Sequence, residues 1–435
     1  MKKVNEKLII HNLGPMKNCE LYIKDYMVFT GQQASGKSTV AKSIFFFKNI
    51  KNLLMLLIKK QLFLIESEIN IPLKDKLIKE IRLNFLQVFG STWGMPKDMK
   101  ISYCYDTEEK IFINISLKKD DKNPNYIWID FSNNLIDKIN KLEDMVKTEK
   151  HFKNQEDFKN YINDIFNDEY DVIYIPAGRS MITLLSSQLN YIYSSMEDAQ
   201  KKSIDYCTQN YLEKILKLKS FFNNTTDNMI KDIMKMTSLK INSNKLNLAS
   251  NMIKKILKGD YININGEERL QMENSKGYVK INFASSGQQE VLWILNTLFY
   301  HLLNNKKAYF IIEEPESNLF PNAQKAVIEF VSMIQNSDNK ILLTTHSPYV
   351  LGTLNNLLYA YDLYNLNNSR KEEINKIIKK EFWINYNNFS SYFLKNGICE
   401  NCIDKDVRCI KNEVIDEASN IINEEFDMLV EVGDV

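Results

Sequence analysis

Residues 28–39 read VFTGQQASGKST. Gly31, Gly36, Lys37 and Ser38 fit G-x-x-x-x-G-K-[ST], the spacing of a loop that wraps phosphates between a strand and a helix. Glycines are needed there because backbone N–H groups must turn inward on the phosphate oxygens, and the following helix N-terminus adds partial positive charge. The flanks agree. DYMVF before the loop is apolar and β-like, and VAKSIFFFKNIKNLLMLLIKK after it is helical in pattern. In such a loop Lys37 reaches the β- and γ-phosphates of a nucleotide, and the Ser38 hydroxyl ligates Mg²⁺. Ala34, Ser35 and Thr39 complete the expected cradle. A chance match on a glycine-rich turn would not explain the strand before it and the helix after it.

A phosphate loop also needs a carboxylate for the metal and a base for the attacking water. AYFIIEEPESNLFP, residues 308–321, supplies both. Ala308 to Ile312 is a continuous apolar run, as a central parallel strand requires. It ends in Glu313, which suits the metal, and Glu314, which suits the hydrolytic water. A surface turn is the plainer reading, since Pro315 and Asn318 favour one in either case. KILLTTHSPYVL, residues 340–351, is a further apolar or β-branched run with His346 at its end. A lone histidine is more often structural, but strand ends of an α/β sheet are where ligands sit, so His346 is a candidate contact for the γ-phosphate.

Between these motifs, residues 284–290 read ASSGQQE and open the apolar helix VLWILNTLFYHLL. Ser285 or Ser286 is placed to cap that helix, with Gln288 or Gln289 closing a capping box. Taken with its neighbours, the segment has a second meaning. The order of phosphate loop, serine-glycine segment, strand-end acids and strand-end histidine resembles the ABC-type ATPase superfamily. In that family the serine-glycine signature caps the γ-phosphate bound by a second head. The resemblance therefore implies ATP and Mg²⁺ as cofactors, a homodimer closed through the ATP sites and open to higher assembly, and roles for Ser286, Gly287 and Gln289 at the nucleotide. The capping role and the clamping role are compatible.

More narrowly, IIEEPESNLFP, TTHSPYVL, YIPAGRS and LIIHNLGPMKNCELYI look like the motifs of ABC-type AAA ATPases related to the OLD family and to SMC/RecF-type heads. The likeness covers roughly 1–45, 172–190 and 260–360. Three departures stand out. Glu313 occupies a position where many relatives carry Asp, Gln288 replaces the second signature glycine, and Phe320 replaces a D-loop Asp; the last two argue against a transporter subunit. Gln188 is the candidate Q-loop ligand to the metal, with a surface glutamine as the alternative. Arg179 either neutralises phosphate charge or pins its strand end.

Composition bounds the rest. The chain has 435 residues, 44% hydrophobic and 26% charged, the make-up of an ordinary globular protein. Lys plus Arg number 56 against 55 Asp plus Glu, a net charge of +1 that gives no whole-chain argument for nucleic acid. DNA remains a possible partner through local patches. The most apolar early stretch, IFFFKNIKNLLMLLIKKQLFLI, is broken by Lys48, Lys51, Lys59 and Lys60, short of the roughly 18 apolar residues of a membrane span. MKKVNEKLII has too short an apolar run for a secretory signal, so no membrane partner and a cytoplasmic location are expected. Cys19, Cys104 and Cys207 are expected as packing residues. Cys399, Cys402 and Cys409 form C-x2-C-x6-C, which lacks a local fourth ligand for zinc.

The expected fold is α/β: a P-loop NTPase of ABC-type head architecture with a mixed or parallel core sheet, an α/β insertion and a helical subdomain. Residues 1–45 carry the N-terminal strands and P-loop, 46–170 the insertion and 171–189 a core strand with the Q-loop. Residues 190–258 form the helical subdomain, 259–362 the remaining core, and 363–435 a C-terminal α/β extension. Standalone relatives of the Septu, PARIS and retron-associated kind are bacterial anti-phage defence ATPases that control a separate effector protein, and the chain is expected to do the same. A RecF- or SMC-like DNA-repair head, gating a DNA clamp, is the rival.

Overall fold

The computed structural model describes residues 5–63, 71–120, 123–148, 152, 154–184, 195–196, 205–236, 242–272, 277–366, 370–411, 424 and 428. Strands β1 (Lys7–Leu13) and β2 (Met16–Tyr22) pair antiparallel around a Gly14–Pro15 turn. β3 (Tyr26–Gly31) runs into the phosphate loop and the long helix α1 (Lys37–Phe63), followed by α2 (Leu73–Phe89). β4 (Lys100–Asp106), β5 (Ile111–Asp120) and β6 (Asn123–Phe131) form an antiparallel meander. Helices α3 (Asn133–Lys147) and α4 (Gln155–Phe166) follow, each opened by a polar cap, Ser132 and Asn154. Then comes β7 (Asp171–Ile175).

The helical region contains α5 (Tyr206–Lys219), α6 (Thr226–Met236) and α7 (Ser243–Leu257). A separate antiparallel sheet follows, of β8 (Gly259–Ile264), β9 (Glu267–Met272) and β10 (Tyr278–Lys280). α8 (Ser286–Leu303), β11 (Ala308–Glu313), α9 (Pro321–Gln335), β12 (Lys340–Thr345) and α10 (Pro348–Leu366) return the chain to the main sheet. Among the described residues it continues with α11 (Lys371–Ile377), the hairpin β13 (Phe389–Lys395) and β14 (Ile398–Asn401), and the short pair β15 (Ile403–Asp404) and β16 (Cys409–Ile410).

The main sheet has eleven strands in the order β6-β5-β4-β1-β2-β14-β13-β3-β12-β11-β7. Strands β13, β3, β12, β11 and β7 are mutually parallel, and the β6-to-β2 half is antiparallel. The fold is thus mixed α/β, as the sequence implies. Alternation along the parallel strands sets two cores. Met27 and Phe29 of β3 join α1 on one face, while Tyr26 and Val28 join α8, α9 and α10 on the other. Burial on both faces is why these strands read as unbroken apolar runs.

Several findings differ from the sequence reading. The strands of 46–170 are continuous with the main sheet, because β4 pairs directly with β1. The C-terminal extension supplies a core strand: β13 lies beside the phosphate-loop strand, with Ser390 and Ser391 buried. Cys19 is no lone packing residue. It forms a disulfide with Cys399, joining β2 to β14 across a sequence separation of 380. Lys48 and Lys51, which interrupt the apolar stretch in sequence, are wholly buried. They are held by Asp168, at 3.3 and 3.4 Å, and Lys48 also by Glu6 at 2.5 Å, in a cluster that Lys340 completes at 3.2 Å from Glu6. None of the helices among the described residues is long and apolar enough to cross a membrane.

Candidate functional site

The phosphate loop leaves the end of β3 with Gly31 at φ 143° and Gly36 at φ 104°, both in the region that side chains avoid. Space excludes a side chain too. A Cβ on Gly31 would lie 2.3 Å from the Leu394 carbonyl oxygen of the β13–β14 hairpin, and one on Gly36 would lie 2.2 Å from Met16 Sδ. The loop is therefore clamped between two hairpins, the β1–β2 turn and the β13–β14 turn. Ala34 is also left-handed, at φ 59°. Lys37 is buried, and its ammonium donates to the Gly31 and Gln32 carbonyls at 2.9 and 2.8 Å. Burial lowers its pKa, and Glu314, Glu316 and Glu313 oppose that shift.

Facing this loop is a cleft of about 470 Å³ lined by Pro15, the 33–39 segment, Glu314, Thr344 and His346. Parallel pairing of β3, β12 and β11 brings these groups together, since all three strands end on the same edge of the sheet. The two glutamates part company there. Glu313 is buried. One of its oxygens accepts from Ala177 N at 3.4 Å and the other, Oε1, is buried with no hydrogen-bond partner among the described residues. The Tyr174 hydroxyl is buried beside it with no partner at full hydrogen-bond geometry among the described residues, and burial, with the nearby Glu313 carboxylate, raises its pKa well above the usual value, so it stays a donor. Glu314 adopts φ 43°, a left-handed conformation costly for a side-chain-bearing residue and typical of strained functional positions. Its amide donates to the Thr344 carbonyl at 2.9 Å, Ser317 Oγ donates to its carboxylate at 3.2 Å, and His346 Nε2 lies 3.5 Å from its Oε1.

Arg179 takes the structural of its two expected roles. It is wholly buried. Its guanidinium donates to the carbonyls of Pro176 (2.6 Å), Glu313 (2.6 Å), Glu314 (2.8 Å) and Glu290 (2.9 Å). The Glu290 carboxylate in turn accepts from the Arg179 and Ser180 amides at 3.1 and 3.0 Å. One side chain thus fixes the ends of β7 and β11 to the first turn of α8. Sequence reasoning missed Glu290, whose only signal was a charge at the head of an apolar helix.

The structure divides the serine pair. Ser285 caps α8 and forms the capping box with Gln288, whose side chain also donates to the Leu257 carbonyl at 2.6 Å. Ser286 is the first helical residue, exposed and free of the capping role. Gly287 is buried against the turn after β11, where a Cβ would meet the Asn318 carbonyl oxygen at 2.6 Å. Gln289 is turned inward, donating to the Ile281 and Ala284 carbonyls at 3.0 and 3.1 Å, which leaves it no surface for a nucleotide. Neither Ser286 nor Gly287 lines the cleft at the phosphate loop. Gln188 lies outside the described residues. Of the C-terminal cysteines, Cys399 is in the disulfide and Cys402 is a buried thiol 3.1 Å from Ser391 Oγ.

The residues fit a nucleotide and a divalent cation. Gly36 provides a cradle that a side chain would fill, Lys37 a cation at its floor and Ser38 a hydroxyl exposed to the cleft. Glu313 Oε1 is an orphaned buried acceptor beside them. One hydroxyl and one carboxylate, with the rest of the shell from phosphate and water, is how Mg²⁺ is held at such loops. No group of three or more His, Cys, Asp or Glu side chains among the described residues is arranged to bind a metal without that help.

The AAA ATPase domain family matches residues 5–351, and the chain belongs to that family. No curated protein matches it. Among solved structures it is similar to an SMC head bound to the C-terminal winged-helix domain of ScpA, at 11% identity, TM-score 0.42 and coverage of 92% of this chain and 96% of that one. An SMC head with an extended coiled coil, bound to the C-terminal domain of ScpA derived from Pyrococcus furiosus, gives 12%, 0.42, 97% and 99%. The SMC head domain from Thermotoga maritima gives 10%, 0.37, 92% and 98%.

Proposed function

We propose that this AAA-family chain is an ABC-type ATPase that binds and hydrolyses ATP between two head-to-head copies. The observation that carries the reading is the division of the site. One cleft gathers Lys37, Ser38, Glu314 and His346, while Ser286 stands exposed at a helix N-terminus outside it. A helix N-terminus with a free hydroxyl suits an anion, and here the anion is the γ-phosphate bound by the second copy. In each cleft Gly31, Ala34, Ser35, Gly36 and Thr39 wrap the phosphates and Lys37 neutralises them. Ser38 and Glu313 are the residues that would hold Mg²⁺, which supplies charge neutralisation at the β- and γ-phosphates. Glu314 accepts a proton from the attacking water as general base. His346, 3.5 Å from Glu314, donates to a γ-phosphate oxygen.

The test compares wild type and Glu314→Gln by phosphate release and light scattering, with and without Mg-ATP. Slow turnover in wild type and an ATP-locked dimer in the variant support the reading. An oligomeric state that ignores ATP, with turnover unchanged in Ser286→Arg, overturns it. For cellular role, the resemblance of the acidic and histidine motifs supports a bacterial anti-phage defence ATPase acting on a separate effector protein, in the cytoplasm. Co-purification of one stoichiometric partner whose activity changes with Glu314→Gln supports that. ATP-dependent, salt-sensitive DNA binding without a partner assigns the chain instead to the RecF- or SMC-like clamp class.

A further inference from the structure

The turn after the acidic pair contains a third carboxylate that no step above uses. Glu316 Oε1 accepts from Thr345 Oγ1 at 2.6 Å and from the His346 amide at 2.9 Å. Its other oxygen is buried and has no hydrogen-bond partner among the described residues. The contact is one link of a closed ring. The Ser347 amide donates to Thr345 Oγ1 at 3.0 Å, Ser347 Oγ to Gln324 Oε1 at 2.6 Å, Gln324 Nε2 to the Leu319 carbonyl at 2.9 Å, and the Leu319 amide back to the Glu316 carbonyl at 3.0 Å. His346 is therefore gripped from both ends by glutamates two positions apart. Glu316 fixes its backbone, and Glu314 meets its ring at 3.5 Å.

We infer that Glu316 is the positioning residue that aims the His346 imidazole at the reacting phosphate. Glu316 does not line the cleft and acts through His346, and the inference rests on the hydrolytic reading above. β12 ends at Thr345, so the direction in which the chain leaves the sheet at His346 is not set by strand pairing. The two hydrogen bonds to Glu316 set it instead. A displacement near 1 Å at such a group is enough to cost about 100-fold in rate.

The experiment uses the full chain and three readouts: steady-state phosphate release, affinity for a fluorescent ATP analogue, and the Cε1–H resonance of His346 in ¹³C-histidine protein. With four histidines in the chain, His346→Ala assigns the signal. Glu316→Ala is expected to lower kcat about 10- to 100-fold, leave nucleotide affinity within about threefold, and shift the His346 resonance. Glu316→Gln keeps an acceptor oxygen and is expected to stay near wild type in all three. The double variant Glu316→Ala with His346→Ala is expected to be no slower than His346→Ala alone, because the two residues act as one unit. Thr345→Val removes one of the two donors, gives an intermediate loss, and serves if the alanine variant does not fold. An unmoved His346 resonance in Glu316→Ala, a glutamine variant as impaired as the alanine one, or multiplicative losses in the double variant each overturn the inference. If wild type shows no turnover yet Glu316→Ala moves His346, the hydrolytic reading fails while the positioning role stands.

Discussion

Replacing Arg179 with methionine is the sharpest perturbation of the structure that holds the site. The side chain is wholly buried and donates four hydrogen bonds to carbonyls between 2.6 and 2.9 Å. Charge-assisted bonds are worth roughly 1.5–3 kcal/mol each when measured singly, but four on one guanidinium are not additive. The controlling term is the carboxylate of Glu290, 3.4 Å from Arg179 Nε and buried. Removing one member of a buried pair costs about 3–5 kcal/mol, because the remaining charge stays out of water uncompensated. Arg179→Met is therefore expected to lose that much in urea unfolding followed by tryptophan fluorescence and circular dichroism. Adding Glu290→Gln removes the stranded charge and keeps an acceptor for the Arg179 and Ser180 positions' amides, so the double variant is expected to recover about 1–3 kcal/mol. Lysine at 179 carries the charge but not the fork, and falls between wild type and methionine. A loss below about 1 kcal/mol in Arg179→Met, or a double variant no more stable than the single one, would refute the pinning role and revive phosphate neutralisation.

Three further outcomes are expected. Gly36→Ala forces a Cβ against Met16 at φ 104°, so ATP-analogue binding is expected to weaken at least tenfold, and Met16→Ala in the same chain to restore only part of it; unchanged affinity would break the clamp argument. Burial holds the His301 imidazole down to about 4, against the pull of its bond to the Thr297 carbonyl. The unfolded chain takes up that proton first, near its ordinary 6.5, so stability present above pH 6.5 drains by on the order of 3 kcal/mol as pH falls toward 4; urea unfolding at pH 7 and pH 4 is expected to show it, with the slope flattened in His301→Gln. Cys19→Ser opens a link across 380 residues and is expected to cost about 2–4 kcal/mol, matched by reducing wild type; equal stability of oxidised wild type and Cys19→Ser would refute it.

The parts of this molecule that were legible in sequence are those where backbone geometry dictates residue type. Gly31 and Gly36 sit at positive φ with no room for a Cβ, and the unbroken apolar runs of β3, β11 and β12 follow from burial on both faces. What stayed hidden depends on contacts distant in sequence. β13 reads FSSYFLK, and its buried serines disguise a central strand. Lys48 and Lys51 look like breaks in an apolar stretch, but they are the buried cations of a cluster whose acids, Glu6 and Asp168, come from elsewhere in the chain. There burial opposes ionisation of Asp168, and Lys48, Lys51 and Lys340 outweigh it to hold its pKa near 2. The Cys19–Cys399 pairing has no local signature. Gln288 and Gln289 are adjacent and chemically identical, yet one closes the cap and the other is spent on two carbonyls; only the helix phase decides.

The turn at residues 314–320 gives a physical reason why the two halves of the proposed site should act together. Glu314 begins it and faces the phosphate loop. Glu316 holds the segment that carries His346. The Asn318 carbonyl and Leu319 lie against Gly287 so closely that no side chain would fit between them. A displacement of Gly287, such as an anion drawn onto the Ser286 end of α8 would cause, has no slack to absorb it before Asn318 must move. The Leu319 amide bonds the Glu316 carbonyl, which passes the movement to the grip on His346. Packed interiors respond to such pushes by switching between discrete arrangements, not by yielding gradually. If the proposed second copy completes the phosphate cage, it would also load Gly287 and through it set the histidine of the cleft in the same subunit as that glycine. A bulkier residue at 287 should then act like Glu316→Ala, shifting the His346 resonance while leaving the Lys37 cradle and its nucleotide affinity in place.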